Sequence, residues 1–161
     1  MQKLVLEAQI NADVAKAWEL FESQPFRDRL SAETGLIAEL LSTTQEGTTE
    51  VRTFRYESGT DLPAVAAKAL GTKRLAYTQT NRLDLDASRL EWRIELPLGD
   101  RVRVSGVTTM EPSGSGSLRK VDGTIEVKLP LIGGRVEKLV VEQFEKSMRR
   151  VNEIANEMLA E

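Results

Sequence analysis

The last stretch of the chain limits the folds open to it. From Val136 to Met158, apolar residues return every three or four positions: Val136, Val140, Phe144, Met148, Val151, Ala155 and Met158. Leu139, Ile154 and Leu159 widen that stripe. The spacing predicts one amphipathic helix over 135–159, roughly 37 Å long at ~1.5 Å per residue. Its other side carries Glu142 with Lys146 and Glu145 with Arg149, spaced i,i+4 with Glu first, and reads as a solvated face. A helix with so long a stripe must bury it against something of comparable length.

The residues just before it supply that surface. Leu90, Trp92, Ile94 and Leu96 alternate with the charged Glu91, Arg93 and Glu95. Val102, Val104, Gly106, Thr108 and Met110 alternate with Arg101, Arg103, Ser105 and Thr109, and Val121, Ile125, Val127 and Leu129 with Lys120, Asp122, Glu126 and Lys128. A period of two places one face on a core and the other in water. Turns are predicted at Asp84–Ser88, at Leu98-Gly99-Asp100 and at Ser113–Gly116. With a strand over 73–83, these runs make an antiparallel meander.

The first half of the chain fits the same plan. Leu4, Leu6, Ala8 and Ile10 form a half-buried strand. Asn11 or Asp13 caps a short helix carrying Val14, Ala17, Trp18 and Phe21. Pro25 suits the first turn of a second helix, which Gly35 stops. Segments 36–44 and 49–57 read as a hairpin around Glu46-Gly47. Segment 59–71 breaks the pattern, with Asp61-Leu62-Pro63 followed by the Ala-rich 64–70; it reads as a loop with about two helical turns and as a candidate lid. The predicted fold is α+β, a single domain over 1–161. A curved antiparallel sheet wraps around a long C-terminal helix, with two short helices after the first strand.

Composition excludes much chemistry. Of 161 residues, none is Cys and none is His. Thiolate chemistry, Ser-His-Asp triads and histidine metal sites are therefore ruled out, and neither a metal nor a cofactor is expected. The net charge of −3, with signs mixed, offers no support for nucleic-acid binding. No apolar stretch approaches the ~20 residues of a membrane span, so stable membrane insertion is not expected. The opening Leu4–Leu6 run is too short for a signal peptide, which points to the cytoplasm.

Three segments carry a resemblance to a known family. Asp13-Val14-Ala15-Lys16-Ala17-Trp18-Glu19-Leu20 resembles the first helix, and Gly123-Thr124-Ile125-Glu126-Val127-Lys128-Leu129-Pro130 the last strand, of the START-like (SRPBCC, helix-grip) superfamily. Leu131-Ile132-Gly133-Gly134-Arg135-Val136-Glu137-Lys138-Leu139 resembles the entry to its last helix. That entry is similar above all to a bacterial START-like family of unknown function, and also to the lipid-transfer branch. The resemblance implies a cavity between sheet and helix for a hydrophobic small molecule or lipid. Some branches are cyclases or hydroxylases, and others bind protein partners.

Strand parity weighs against acid–base catalysis, since no carboxylate falls in the inward register from Leu90 to Leu129. Glu39, Glu50 and Tyr77 are the groups left to a cyclase- or dehydratase-like enzyme. The inward positions predicted to meet a ligand are Arg52, Phe54, Tyr77, Gln79, Asn81, Trp92, Val104 and Thr108, with Val140, Phe144 and Met148 from the helix. The reading is a non-enzymatic carrier or sensor of an apolar molecule. Outward Val5 and Val107 are the thin basis for a protein-interaction module instead.

Overall fold

The structure, a computed structural model, describes residues 1–97 and 99–161, with side chains throughout except at Ala69. The strands are β1 (Gln2–Ile10), β2 (Ile37–Glu46), β3 (Thr49–Asp61), β4 (Arg74–Asp84), β5 (Arg89–Glu95), β6 (Val102–Ser113) and β7 (Gly116–Val127). They form one antiparallel sheet in the order β1-β7-β6-β5-β4-β3-β2. The helices are α1 (Val14–Phe21), α2 (Gln24–Thr34), α3 (Ala64–Leu70) and α4 (Gly133–Leu159). This is the helix-grip architecture: a six-strand meander from β2 to β7, with β1 returning beside β7 and α4 packed on the sheet.

Local chemistry sets the element ends. The Asp13 carboxylate accepts the Lys16 N–H at 2.8 Å and starts α1. Ser23 Oγ accepts the Phe26 N–H at 3.3 Å and starts α2, with Pro25 in the first turn. Gly35, at φ +72°, ends it. β3 runs to Asp61, beyond its predicted end at Glu57, because Asp61 pairs with Arg74 past an irregularity. α3 is the helical part of the predicted 59–71 loop. Of the turn expected at Leu98-Gly99-Asp100, Leu98 lies outside the described residues; Gly99–Arg101 is a 3-10 turn.

The inward face follows the predicted parity. Leu90, Trp92, Ile94, Val102, Val104, Met110, Val121, Ile125 and Val127 are all buried. Trp92 needs room, and two paired glycines supply it. A Cβ on Gly106 would lie 2.4 Å from Trp92 Cζ2, and one on Gly123 2.8 Å from Cη2. α4 starts two residues earlier than predicted, at Gly133, where a Cβ would meet the Val127 carbonyl oxygen at 2.5 Å.

Two features of α4 go beyond its sequence pattern. The i,i+4 pairs Glu142–Lys146 and Glu145–Arg149 are not formed among the described residues. The helix's ion pairs radiate instead from Arg150, to Glu153, to Glu157 and across to Glu33 of α2 at 2.7 Å. The helix also rests chiefly on β1 and β7 rather than across the middle of the sheet. Its mid-section residues Val140, Phe144 and Met148 are only half-buried as a result.

Candidate functional site

Because α4 leans toward β1 and β7, space remains between its mid-section and β3–β4. A cavity of about 450 Å³ opens there, lined by Leu36, Leu62, Pro63, Leu75, Tyr77 and Phe144, with Ser58, Gln143 and Ser147 among its polar groups. The 59–71 segment forms part of its rim through Thr60 to Pro63. That rim is tied down by the Leu62 N–H, which donates to the Lys73 carbonyl at 2.7 Å, and by buried Ala66.

A second cleft of about 810 Å³ lies under α1, against the β2–β3 and β4–β5 turns. Val14, Trp18 and Leu83 make its apolar wall, and Glu22, Glu50 and Arg52 its polar floor. Arg52 Nη1 donates to the Glu22 carbonyl at 3.3 Å and sits 3.7 Å from the Glu22 carboxylate. Arg52 Nε lies 2.5 Å from Glu50 Oε1 but is not aligned for a hydrogen bond. That contact is one of charge, and it leaves a buried N–H donor without an acceptor. Burial pushes the Glu22 carboxyl above its ordinary range, against the pull of Arg52 and Arg27.

Arg119 joins this charged group from β7. It is buried, with its guanidinium 4.5 Å over the Phe21 ring and Nη1 donating to Asn152 Oδ1 at 2.9 Å. Burial pulls its pKa down to about 10, partly opposed by Glu22, so it remains a cation at neutral pH. Burial also pushes the Tyr56 phenol up to about 12, with the Glu22 charge adding to the effect. Tyr77 stacks on Tyr56 at 5.3 Å, and burial raises its phenol too. Arg52 thus sits against the carboxylates of both Glu22 and Glu50, and the charges of Arg27 and Arg119 act on Glu22 from farther away.

The predicted site residues divide among these environments. Tyr77 and Phe144 line the helix–sheet cavity. Arg52 faces inward on the floor of the other cleft, held between two carboxylates. Gln79 and Asn81 are hydrogen-bonded, Gln79 Nε2 donating to Asn81 Oδ1 at 2.8 Å. Trp92 Nε1 donates to Thr108 Oγ1 at 3.2 Å, both buried. Phe54 is buried beneath the Arg27 guanidinium, and Val104 is core. Val140 and Met148 pack against that core as half-buried neighbours. Glu39 is exposed and Glu50 half-buried. Val5 is exposed, as parity expects, whereas Val107 is half-buried.

Sequence reasoning missed Glu22, Arg27, Tyr56, Arg119 and Asn152. Four carried a signal. Arg119 precedes Val121 by two and so shares its inward register. Glu22 follows Trp18 by four and falls on the buried side of α1. Asn152 follows Met148 by four and lies on the α4 stripe. Tyr56 follows Phe54 by two and shares its register, whereas for Arg27 no such signal exists.

Among the described residues, no group of three or more Asp or Glu side chains is placed to hold a metal. No helix there is long and apolar enough to cross a membrane.

The family model described as "Protein of unknown function (DUF2505)" matches residues 6–159, and the chain belongs to that family. No curated protein matches it. Among solved structures, TTHA0849 from Thermus thermophilus is 20% identical, with a TM-score of 0.68 over 96% of this chain and 97% of that one. A START superfamily protein from Mycobacterium smegmatis is 16% identical, with a TM-score of 0.66 over 98% of each chain. The Zhui aromatase/cyclase from Streptomyces sp. R1128 is 12% identical, with a TM-score of 0.65 over 97% of this chain and 92% of that one. The fold is therefore START-like.

Proposed function

From membership of a family without assigned function and a START-like fold, we propose that this chain binds a hydrophobic small molecule or lipid, in the cytoplasm, in the cavity between α4 and β3–β4. The cavity itself carries the reading. Its volume of about 450 Å³ lies within the roughly 300–1,000 Å³ usual for small-molecule sites. Leu36, Leu62, Pro63, Leu75, Phe144 and the Tyr77 ring give it an apolar side, and Thr34, Ser58, Thr60, Asp61, Gln143 and Ser147 a polar one. Burial keeps that phenol neutral, so it offers a hydrogen bond and no charge. The rim at Leu62–Pro63 is the way in. Holding, rather than transforming, suits such a site.

Native mass spectrometry of gently purified protein, followed by organic extraction, tests this directly. A bound apolar species is expected, together with saturable Nile red binding. Phe144→Arg should weaken the dye by roughly tenfold or more, since it puts a charge against an apolar wall. No co-purifying molecule, together with dye affinity unchanged by Phe144→Arg, would exclude the reading.

One observation favours a second reading. Glu22 is a half-buried carboxyl with a raised pKa beside Arg52, in a cleft large enough for a substrate. That is the acid–base group a cyclase- or dehydratase-like enzyme would need, and it replaces the exposed Glu39 in that role. An extracted ligand left chemically unchanged by incubation with the protein, and equally with Glu22→Gln, would remove this alternative.

A further inference from the structure

The turn between β7 and α4 presents an apolar side chain outward at a conformational cost. Leu131 is wholly exposed and sits at φ +69°, a left-handed backbone that a branched residue rarely takes. Glycine or asparagine would be easier there, and burial gives nothing in return. Pro130 beside it is also exposed.

The surroundings of this tip are cationic. Lys128, Arg135 and Lys138 are exposed on either side of it in sequence. Exposed Arg101 is brought alongside, because its carbonyl accepts the Lys128 N–H at 2.6 Å. The carboxylates nearby are Asp100, which is exposed, and Glu126, which lies 3.7 Å from Lys128 Nζ. Glu137 is turned inward, accepting the Val127 N–H at 3.0 Å. Four exposed cations against two carboxylates make a locally positive tip on a chain whose net charge is −3. An exposed leucine flanked along the chain by lysine and arginine complements a bilayer surface that bears anionic headgroups.

We propose that the β7–α4 turn is a peripheral docking point for anionic membranes. Leu131 enters the headgroup–acyl boundary, while Arg101, Lys128, Arg135 and Lys138 face the lipid phosphates and carboxylates. The contact is shallow and reversible. It does not depend on what the helix–sheet cavity holds.

Flotation with vesicles tests it, comparing phosphatidylcholine containing phosphatidylserine with phosphatidylcholine alone. The wild-type chain should partition onto the phosphatidylserine vesicles at low ionic strength and release as salt rises. Leu131→Asn is the diagnostic variant, because Asn tolerates the left-handed backbone. It should keep or slightly raise the melting temperature, leave Nile red binding unchanged, and cut vesicle partitioning roughly tenfold, in line with the loss of one inserted leucine. Arg135→Glu with Lys138→Glu should abolish the preference for phosphatidylserine. Equal binding to both vesicle types, undiminished binding by Leu131→Asn, or a wild-type chain that dimerises through this tip and ignores vesicles would each overturn the proposal.

Discussion

The Trp92–Thr108 pair allows the inward face to be tested for what it serves. Trp92 is 5% exposed, Thr108 is 1% exposed, and the indole N–H donates to the hydroxyl at 3.2 Å. Thr108→Val keeps the shape but strands a buried N–H, at a cost of about 1–3 kcal/mol. Trp92→Phe strands the hydroxyl and under-fills the trough above Gly106 and Gly123, at a cost of about 2 kcal/mol. In the double variant neither polar group is left over from this pair. The two costs should therefore fall short of additivity by about 1 kcal/mol. In urea, with a slope of about 2 kcal/mol/M, that coupling displaces the midpoint by roughly 0.5 M, well within reach of far-UV dichroism. Nile red affinity should be untouched by Thr108→Val, because the hydroxyl is already committed to the indole. Additive costs within about 0.3 kcal/mol would refute the bond as an energetic pair. Weakened dye binding without lost stability would assign Thr108 to the ligand instead.

Other outcomes follow from single contacts. Gly123→Ala drives a methyl to 2.8 Å from Trp92 Cη2 and 3.0 Å from the Ser105 carbonyl oxygen, so it should destabilise by about 1–3 kcal/mol; Trp92→Phe should recover part of that loss, and full stability in the single variant would show that the trough has slack. Glu22 has a folded-state pKa raised above its ordinary 4.5, so its contribution to stability is complete below that value and is lost as pH rises through the folded pKa. The stability of Glu22→Gln relative to wild type should therefore improve on going from pH 4 toward neutrality. A relative decline over that range would mean that the arginines, not burial, set the Glu22 pKa.

How much of this was legible beforehand depends on the range of the physics involved. Elements whose signal is local were readable. The Asp13 cap, Pro25 in a first turn, the Gly35 stop and the α4 stripe each rest on residues within a few positions of one another. The burial of Leu90, Trp92, Ile94, Val104 and Val121 needed only a period of two. Side-chain partners were not readable in this way. Thr108 and Trp92 share a face, and so do Gln79 and Asn81, but parity does not say that the two members of each pair are hydrogen-bonded to one another. Arg119 shows the other failure. Its register was available from Val121, yet a cation in that position makes sense only once Phe21, Glu22 and Asn152, from α1 and α4, are known to surround it.

The cavity raises a harder problem, because it arises from an offset between elements. The stripe on α4 says that the helix must lie on the sheet, and the parity of the strands says which face receives it. Neither says which strands bear the load. With equal support from every strand, Val140, Phe144 and Met148 would be as buried as Val136 and Ile154. They are not: Val136 near one end and Ile154 with Ala155 near the other are fully buried, whereas the middle is half-buried. Resting on β1 and β7, the helix leaves its middle facing Leu75 and Tyr77 of β4 across open space. Dense packing is the rule in protein interiors, so a gap flanked by well-packed ends must be held open by those ends. At one end the Glu137 carboxylate accepts the Val127 N–H and, with the bare Cα of Gly133 against the Val127 carbonyl, holds α4 to β7. At the other, Arg150 reaches Glu33 of α2, and Asn156 Nδ2 donates to the Gln9 carbonyl of β1 at 2.9 Å. The helix is therefore clamped near both ends, while between them it packs on the core through Val140 and Met148 and faces the cavity through Phe144.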